Sequence, residues 1–161
     1  MIAVAYRKVD SDIVRRVRAI IPEHKRVMTE KPDLAGYSFD GSFGTYMPEL
    51  VVQPKSTAEV AAIVKLAYEE TIPVYPRGQS TSLSGGPLPV EGGIVLDLSR
   101  WDEKLEIYPE DLIAVVSPGV LTSSIHAAAE KAGLMYRPTR AAPPFRPSAA
   151  TWPRIPGARA A

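Results

Sequence analysis

The chain has 161 residues, 45% of them hydrophobic and 23% charged, which is ordinary for one globular domain with its own core. Its 19 Lys and Arg residues nearly balance its 18 Asp and Glu residues, so the charge gives no reason to expect a nucleic acid or an anionic membrane surface as partner. The absence of cysteine excludes disulfides, thiolate metal sites and cysteine nucleophiles. Since no apolar run reaches the ~20 residues of a membrane span, we expect a cytoplasmic protein with no membrane span.

The first predicted helix lies in "SDIVRRVRAII", where apolar residues recur at helical spacing. Ser11 or Asp12 is the predicted N-cap, and Pro22 ends the helix. From there to Met47, aromatic residues and glycines alternate without a clear period, and we predict a loop with short elements.

A β-α-β step follows. "LVVQP" predicts a short buried strand, and "KSTAEVAAIVKLAYEE" predicts a helix that begins with a capping box of Ser56 and Glu59. "IPVYPRG" predicts the next strand, with its prolines at the ends, as a parallel partner of the first strand. The predicted buried stripe of the helix consists of Val60, Ile63, Val64 and Ala67.

Three more strands and a helix are predicted downstream. The strands lie in "GGIVLDLS", "KLEIYP" and "LIAVVSPG", each bounded by glycine, proline or aspartate. The helix lies in "LTSSIHAAAEKAG", with Gly133 as its C-terminal cap. Asp97, at the end of "IVLDLS", is expected to hold a turn in preference to a cofactor group. The fold class is therefore α/β with α+β character.

A glycine- and hydroxyl-rich loop, "RGQSTSLSGG", begins where the predicted strand "IPVYPRG" ends. Ligands of open α/β sheets favour the carboxyl ends of strands, and a concave run of backbone N–H groups binds anionic oxygens. Neither a P-loop nor a dinucleotide-binding turn fits, because a strand follows in place of a helix. Arg77 is the nearby cation, and Ser80, Thr81, Ser82 and Ser84 are side-chain donors. The alternative is an ordinary surface turn.

The succession of "VVQPKSTAEVAAIVKLAYEETIPVYPRGQSTSLSGGPLPVEGGIVLDLSR", "VVSPGV" and "AGLMYRP" resembles the N-terminal FAD-binding region of the flavin oxidoreductases related to p-cresol methylhydroxylase and vanillyl-alcohol oxidase. Within these, it looks most like the glycolate oxidase D-subunit and D-lactate dehydrogenase branch. The resemblance implies a PCMH-type FAD-binding fold over roughly residues 13–138. It implies an FAD pyrophosphate wrapped by Arg77, Gly78, Gln79, Ser80 and Thr81, with Ser84, Gly85 and Gly86 shaping the return of the loop.

Two further positions carry implied cofactor contacts. In "SPGV", Gly119 either approaches the cofactor closely or serves a strand-to-helix turn, and the sequence favours neither. Pro138 matches a segment near the flavin. Substrate arginines and catalytic or metal-binding histidines of the family lie in regions that this sequence does not match. His24 and His126 lack ligand spacing, so we predict no catalytic residue and no metal site here.

The tail from Thr139 breaks the pattern with "TRAAPPFRPSAATWPRIPGARAA". Relatives continue with a segment like "DPGSAPISAIGGNVAENSGG", and losing one base from a gene for that segment yields a reading like the observed tail. The hypothesis is a frameshift at the boundary of Pro138 and Thr139, either from a one-base deletion in the gene or from a sequencing error. It divides the chain into a partial FAD-binding domain, 1–138, and a disordered or irregular out-of-frame tail, 139–161, without a nucleic-acid role.

The expected function is that of the N-terminal FAD-binding fragment of a flavin-dependent dehydrogenase or oxidase acting on small 2-hydroxy acids. This fragment is expected to be inactive alone and to bind FAD weakly or not at all. Partner subunits are possible in the intact relative. Three alternatives stay open: a stand-alone nucleotide-binding module, an interaction protein that reuses the lobe, and a different enzyme of the same fold, such as a UDP-sugar-type reductase.

Overall fold

The computed structural model describes residues 5–136. Pro138 and the predicted tail lie outside these residues, as does the proposed frameshift. The elements run α1 (Ser11–Ile20), a 3-10 turn (His24–Arg26), β1 (Val27–Met28), α2 (Lys31–Ala35), β2 (Leu50–Val52), α3 (Thr57–Glu69), β3 (Val74–Arg77), β4 (Ile94–Asp97), β5 (Leu105–Tyr108), β6 (Ile113–Val116) and α4 (Thr122–Lys131). The mixed α/β fold class is confirmed.

A four-stranded sheet in the order β1-β2-β4-β3 organises the first hundred residues. β4 lies between β2 and β3 and is parallel to both, whereas β1 is antiparallel to β2. The prediction that β3 pairs directly with β2 is wrong, because β4 inserts between them. Pro76 lies inside β3 and not at its end. Because β3 is at the edge of the sheet, the N–H that proline lacks would have had no strand to pair with, and no ladder hydrogen bond is lost.

Alternation along the strands separates two apolar layers. Leu50 and Val52 of β2 face a core formed with α1 and α3, while Val51 faces a smaller cluster with Leu34 and Val95. The first core contains Ile13, Val17 and Ile21 from the region of α1 and Ile63, Leu66 and Ala67 from α3. Because β2, β3 and β4 are parallel, their carboxyl ends lie at one edge of the sheet, between the two apolar layers.

Of the two predicted helix N-caps, one lies at the predicted residue and the other lies earlier in the chain. Ser56 accepts a hydrogen bond from Glu59 N, so the predicted N-cap of α3 is confirmed. The reciprocal bond of the predicted capping box is shifted by one residue, because the Glu59 carboxylate accepts from Lys55 N and not from Ser56 N. The cap of α1 is Asp10, which accepts from Ile13 N, and not Ser11 or Asp12. In α3 the predicted stripe is wrong at Val64, which is 44% exposed, and Leu66 is buried in its place.

The buried Arg26 joins three elements. Its guanidinium donates to Glu59 Oε1 at 2.8 Å and Oε2 at 2.9 Å, and to Gln53 O at 3.0 Å. A charged pair of this geometry is costly to break from one side only, because the remaining charge stays without its partner. Arg26 therefore connects the 3-10 turn to the end of β2 and the first turn of α3.

The strands β5 and β6 form a separate antiparallel pair, followed by α4. β6 is apolar yet largely exposed, with Ile113 at 52%. α4 ends as predicted at Gly133, which has φ of +72° while Leu134 N donates to Ala129 O, a Schellman closure. Between residues 5 and 136, no helix has the length and apolarity needed to cross a membrane.

Candidate functional site

Three buried polar residues meet where the parallel strands end. Gln53 follows β2, Arg77 is the last residue of β3, and Asp97 is the last residue of β4. Gln53 Nε2 donates to Asp97 Oδ2 at 2.7 Å, and Asp97 Oδ1 accepts from Ser99 N at 2.9 Å. The turn role predicted for Asp97 is therefore confirmed, and the same carboxylate also binds a neighbouring strand end.

Tyr37 extends this network from the loop between α2 and β2. Its hydroxyl donates to Asp97 Oδ2 at 2.9 Å and lies 3.2 Å from Gln53 Nε2. Burial, reinforced by the negative charge of Asp97, raises the pKa of Tyr37 to about 12. The hydroxyl accordingly stays protonated and serves as a fixed donor.

Arg77 lies beneath the glycine-rich loop and is only 7% exposed. Its guanidinium donates to Tyr37 O at 2.9 Å and Gly36 O at 3.1 Å, and its Cζ lies 5.2 Å from the centre of the Tyr37 ring. Burial lowers the pKa of Arg77. Sequence reasoning treated this residue as a cation beside the phosphate, whereas its hydrogen bonds go to the carbonyls of another loop.

The glycine-rich loop, defined here as residues 78–86, leaves β3 in an irregular path. Ser80 adopts a left-handed φ of 54°, uncommon outside glycine, and its hydroxyl donates to Phe39 O at 3.2 Å. Ser82 Oγ lies 3.1 Å from Ser84 Oγ and accepts from Ser84 N at 3.2 Å. Gly85 has φ of +70°, which only glycine adopts readily. These contacts fix the return of the loop.

Several amides of this loop are unpaired. Within the described part of the chain, the N–H groups of Gly78, Gln79 and Gly86 donate no hydrogen bond to another residue. A Cβ built on Gly86 would have no heavy atom within 4 Å, so space is open above its backbone. The loop has no acidic residue and several hydroxyls. This donor set fits the pyrophosphate of FAD, which needs N–H and O–H donors on a backbone that it can approach closely.

Gly119 is a packing glycine. A Cβ at this position would lie 2.7 Å from the carbonyl oxygens of Leu98, Ser99 and Trp101, and Gly119 N donates to Trp101 O at 2.7 Å. These contacts support the role of Gly119 in a strand-to-helix turn, and its contact with the cofactor stays a prediction. Thr81 lies half-buried in the loop, and Pro138 lies outside the described residues.

The two histidines are far apart in the chain and in different elements. His24 begins the 3-10 turn, and His126 lies in α4 with its Nε2 3.1 Å from Glu130 Oε1. Among residues 5–136, no three His, Cys, Asp or Glu side chains come together in a way that could hold a metal ion.

The segment that sequence reasoning missed is the 36–47 loop, which was interpreted only as irregular. It carries Tyr37 and lies against the glycine-rich loop through Phe39 O and Gly41. Its signal was the tyrosine among glycines and aromatics, a pattern without periodicity. A tertiary partner 60 residues away, Asp97, gives Tyr37 its place, and no local pattern contains that information.

A family model described as "FAD binding domain" matches residues 48–145, more than half of the chain and including the glycine-rich loop. The chain belongs to this FAD binding domain family. The predicted resemblance and the predicted cofactor, FAD, are thereby confirmed. The geometry of the glycine-rich loop therefore has to be compared with what FAD requires. The 36–47 loop precedes the matched residues.

Curated relatives of this FAD binding domain include a glycolate oxidase subunit GlcD from Bacillus subtilis, 42% identical over 92 residues, which cover 57% of this chain and 20% of the relative. A D-lactate dehydrogenase from Anaerostipes hadrus is 35% identical over 135 residues, 83% of this chain and 28% of the relative. The chain thus spans between a fifth and a third of the length of these relatives.

Solved structures agree on the fold. The crystal structure of p-cresol methylhydroxylase with substrate bound has a TM-score of 0.65 and 25% identity, over 75% of this chain and 24% of that one. An alkyldihydroxyacetonephosphate synthase has a TM-score of 0.68 at 22% identity, over 82% of this chain and 27% of that one. The predicted PCMH-type fold is confirmed by this likeness.

Proposed function

We propose that this FAD binding domain holds the pyrophosphate of FAD in a flavin oxidoreductase that acts on small 2-hydroxy acids. The observation that carries the proposal is the set of unpaired amides at Gly78, Gln79 and Gly86, located after β3 inside the family match. Glycolate and D-lactate, after which two relatives are named, both carry a hydroxyl on the carbon next to a carboxylate. Substrate choice between them stays open.

Each part of the glycine-rich loop has a role in the proposal. The amides of Gly78, Gln79 and Gly86 donate to phosphate oxygens, while Ser80, Ser82 and Ser84 hold the loop in shape through their hydroxyls. When bound, the flavin supplies the chemistry, accepting two electrons from the carbon that bears the hydroxyl. The chain's own contribution is to bind and orient the cofactor; none of its described residues is assigned a catalytic role.

The test is an amide NMR titration of the full 161-residue chain with FAD, ADP and riboflavin. ADP retains the pyrophosphate without the flavin, and riboflavin retains the flavin without phosphate. We expect saturable shifts at residues 78–86 with FAD and ADP and none there with riboflavin. Equal shifts with riboflavin would contradict pyrophosphate binding, and no shift with any ligand would reject the proposal for this chain.

A pair of single substitutions provides the matched variants. Gly86→Ala places a methyl group in the open space above the loop, where it meets no protein atom and requires no left-handed backbone. We expect unfolding stability as in the wild type but ADP affinity at least about tenfold weaker, or ~1.4 kcal/mol. Ala61→Ser is the control, because it also adds one heavy atom but lies at an exposed position of α3, outside the glycine-rich loop. Unchanged ADP affinity in Gly86→Ala would show that the ligand does not approach this backbone.

This titration also separates the proposal from the interaction-protein alternative. A stand-alone nucleotide-binding module predicts the same saturable binding of FAD or ADP by this chain, with no turnover. An interaction protein predicts that substitutions in the glycine-rich loop change no binding event. The family match and the open amides favour the cofactor role over an interaction surface.

A further inference from the structure

The 36–47 loop and the glycine-rich loop lie against each other at three points. Ser80 Oγ donates to Phe39 O at 3.2 Å. A Cβ on Gly41 would lie 2.9 Å from Ser82 O, and a Cβ on Gly85 would lie 3.5 Å from Ser42 Oγ. The two backbones therefore approach so closely that Gly41 has no room for a side chain.

Buried polar side chains hold the 36–47 loop in this position. Arg77 donates hydrogen bonds to the carbonyl oxygens of its first residues, Gly36 and Tyr37. The Tyr37 hydroxyl donates to Asp97 at 2.9 Å. Gln53 completes the cluster through its hydrogen bond to the same Asp97 oxygen. Gln53 directly follows β2, while Arg77 and Asp97 end β3 and β4, so the loop is fixed to the edge of the sheet.

The donors of Arg77 are directed at carbonyls in this arrangement. A planar guanidinium bridges two carbonyl oxygens, which the single ammonium of lysine cannot reproduce with the same geometry. Arg77 also immediately precedes Gly78, the first residue of the glycine-rich loop. One residue thus connects the start of one loop to the anchor of the other.

We infer that the 36–47 loop is the second wall of the cofactor site, and that Tyr37, Gln53, Arg77 and Asp97 position it without touching the ligand. This inference rests on the proposed function, since it assigns a wall to the same pyrophosphate site. Its physical basis is preorganisation: a loop that is already fixed in its binding conformation loses less conformational freedom when the ligand arrives.

The first variant acts on the contact itself. Gly41→Ala places a methyl group against Ser82 O and forces the loops apart, without a left-handed backbone to strain. Ala61→Ser, which also adds one heavy atom but at an exposed position of α3 outside both loops, is the control. We expect Gly41→Ala to speed hydrogen exchange of the amides at residues 80–86 in the free chain and to weaken ADP binding about fivefold. The control should change neither.

The second variants act on the buried cluster. Tyr37→Phe removes the donor to Asp97 and no charge, and we expect the same two effects from it. Arg77→Lys keeps the charge but loses the two-carbonyl bridge. If Arg77 served only as a cation beside phosphate, lysine would retain most of the ADP affinity. The positioning role predicts that lysine loses it together with the slow exchange of the loop amides.

The outcomes separate this inference from the proposed function. Suppose that the wild-type chain binds ADP, and that Gly41→Ala and Tyr37→Phe change neither the ADP affinity nor the hydrogen-exchange rates. The second wall would then be overturned, while the proposed function would stand. Retention of affinity by Arg77→Lys would overturn the positioning role of Arg77. If the wild-type chain binds neither ADP nor FAD, the proposed function fails and the second wall fails with it, even where the exchange rates show that the loops are coupled.

Discussion

Substitution of Gly119 by alanine separates a packing role from a cofactor role at a position where the sequence supported both. Its added methyl group would lie 2.7 Å from each of the carbonyl oxygens of Leu98, Ser99 and Trp101. An ordinary van der Waals contact of a Cβ atom is 3.4–4 Å. All three obstacles are backbone atoms, which cannot rotate away as the end of a flexible side chain can.

The expected cost follows from this geometry. Overpacking of a well-packed site costs ~1–3 kcal/mol, and three simultaneous backbone contacts place Gly119→Ala near the upper end, at about 3 kcal/mol. Against a total stability of ~5–15 kcal/mol for a native domain, this is a large fraction. With ~2–8 °C for each kcal/mol in domains of this size range, we expect the melting temperature to fall by roughly 10 °C.

The assay is urea unfolding followed by far-ultraviolet circular dichroism, with ADP titrations at a temperature where each variant is folded. Gly119→Ala should lose stability and bind ADP like the wild type once folded. Gly86→Ala is the opposite case, with no heavy atom within 4 Å of its added methyl group. The packing argument is refuted if Gly119→Ala unfolds at the wild-type urea concentration and binds ADP less well.

Two further predictions concern the buried polar contacts. Arg26→Met should cost about 3 kcal/mol in urea unfolding, and the double variant Arg26→Met/Glu59→Met should cost less than the two single variants together; additive losses would argue against a coupled pair. Because the hydrogen bond from Arg26 holds the pKa of Glu59 below its usual 4.5, this contribution should be present above pH 4.5 and decline as the pH falls through the lower folded value. Burial raises the pKa of Tyr37 to about 12, so the folded state retains that proton more strongly than the unfolded state, and its contribution should be full below pH 10 and lost between pH 10 and 12. Ultraviolet titration of the wild type against Tyr37→Phe should reveal one late tyrosine, and a difference spectrum that titrates near pH 10 would contradict this.

Local patterns predicted the elements whose signals are contained within their own segments. Ser56 and Glu59 predicted the start of α3, and Gly133 predicted the end of α4. The same reasoning failed where the position of an element depends on a neighbour elsewhere in the chain. β4 takes the place beside β2 that was predicted for β3, and the choice depends on strand packing, which neither segment encodes alone.

The candidate site shows the same division. Glycines and hydroxyls located the glycine-rich loop after β3, because the backbone chemistry of phosphate binding is local. The place of Arg77 was not accessible in this way, since its hydrogen-bond acceptors at Gly36 and Tyr37 are about 40 residues earlier. A charged residue next to a predicted phosphate-binding loop suggests a direct contact with the phosphate, and only the fold shows that the donors of Arg77 are engaged with carbonyls.

The arrangement separates the polar groups that stabilise the fold from the backbone amides that are open to a ligand. Gln53, Arg77 and Asp97 are buried at strand ends and are satisfied by protein groups, whereas the amides of Gly78 and Gly86 have no partner among the described residues. Buried polar groups without partners are costly, so the first set has to be paired within the protein. Solvent can serve the exposed amides until an anion replaces it, and a loop held by the buried set needs little reorganisation to accept one. Arg77 connects the two sets, because it ends β3, anchors the 36–47 loop and precedes Gly78; its substitution should therefore affect binding through the loop and not through a lost charge.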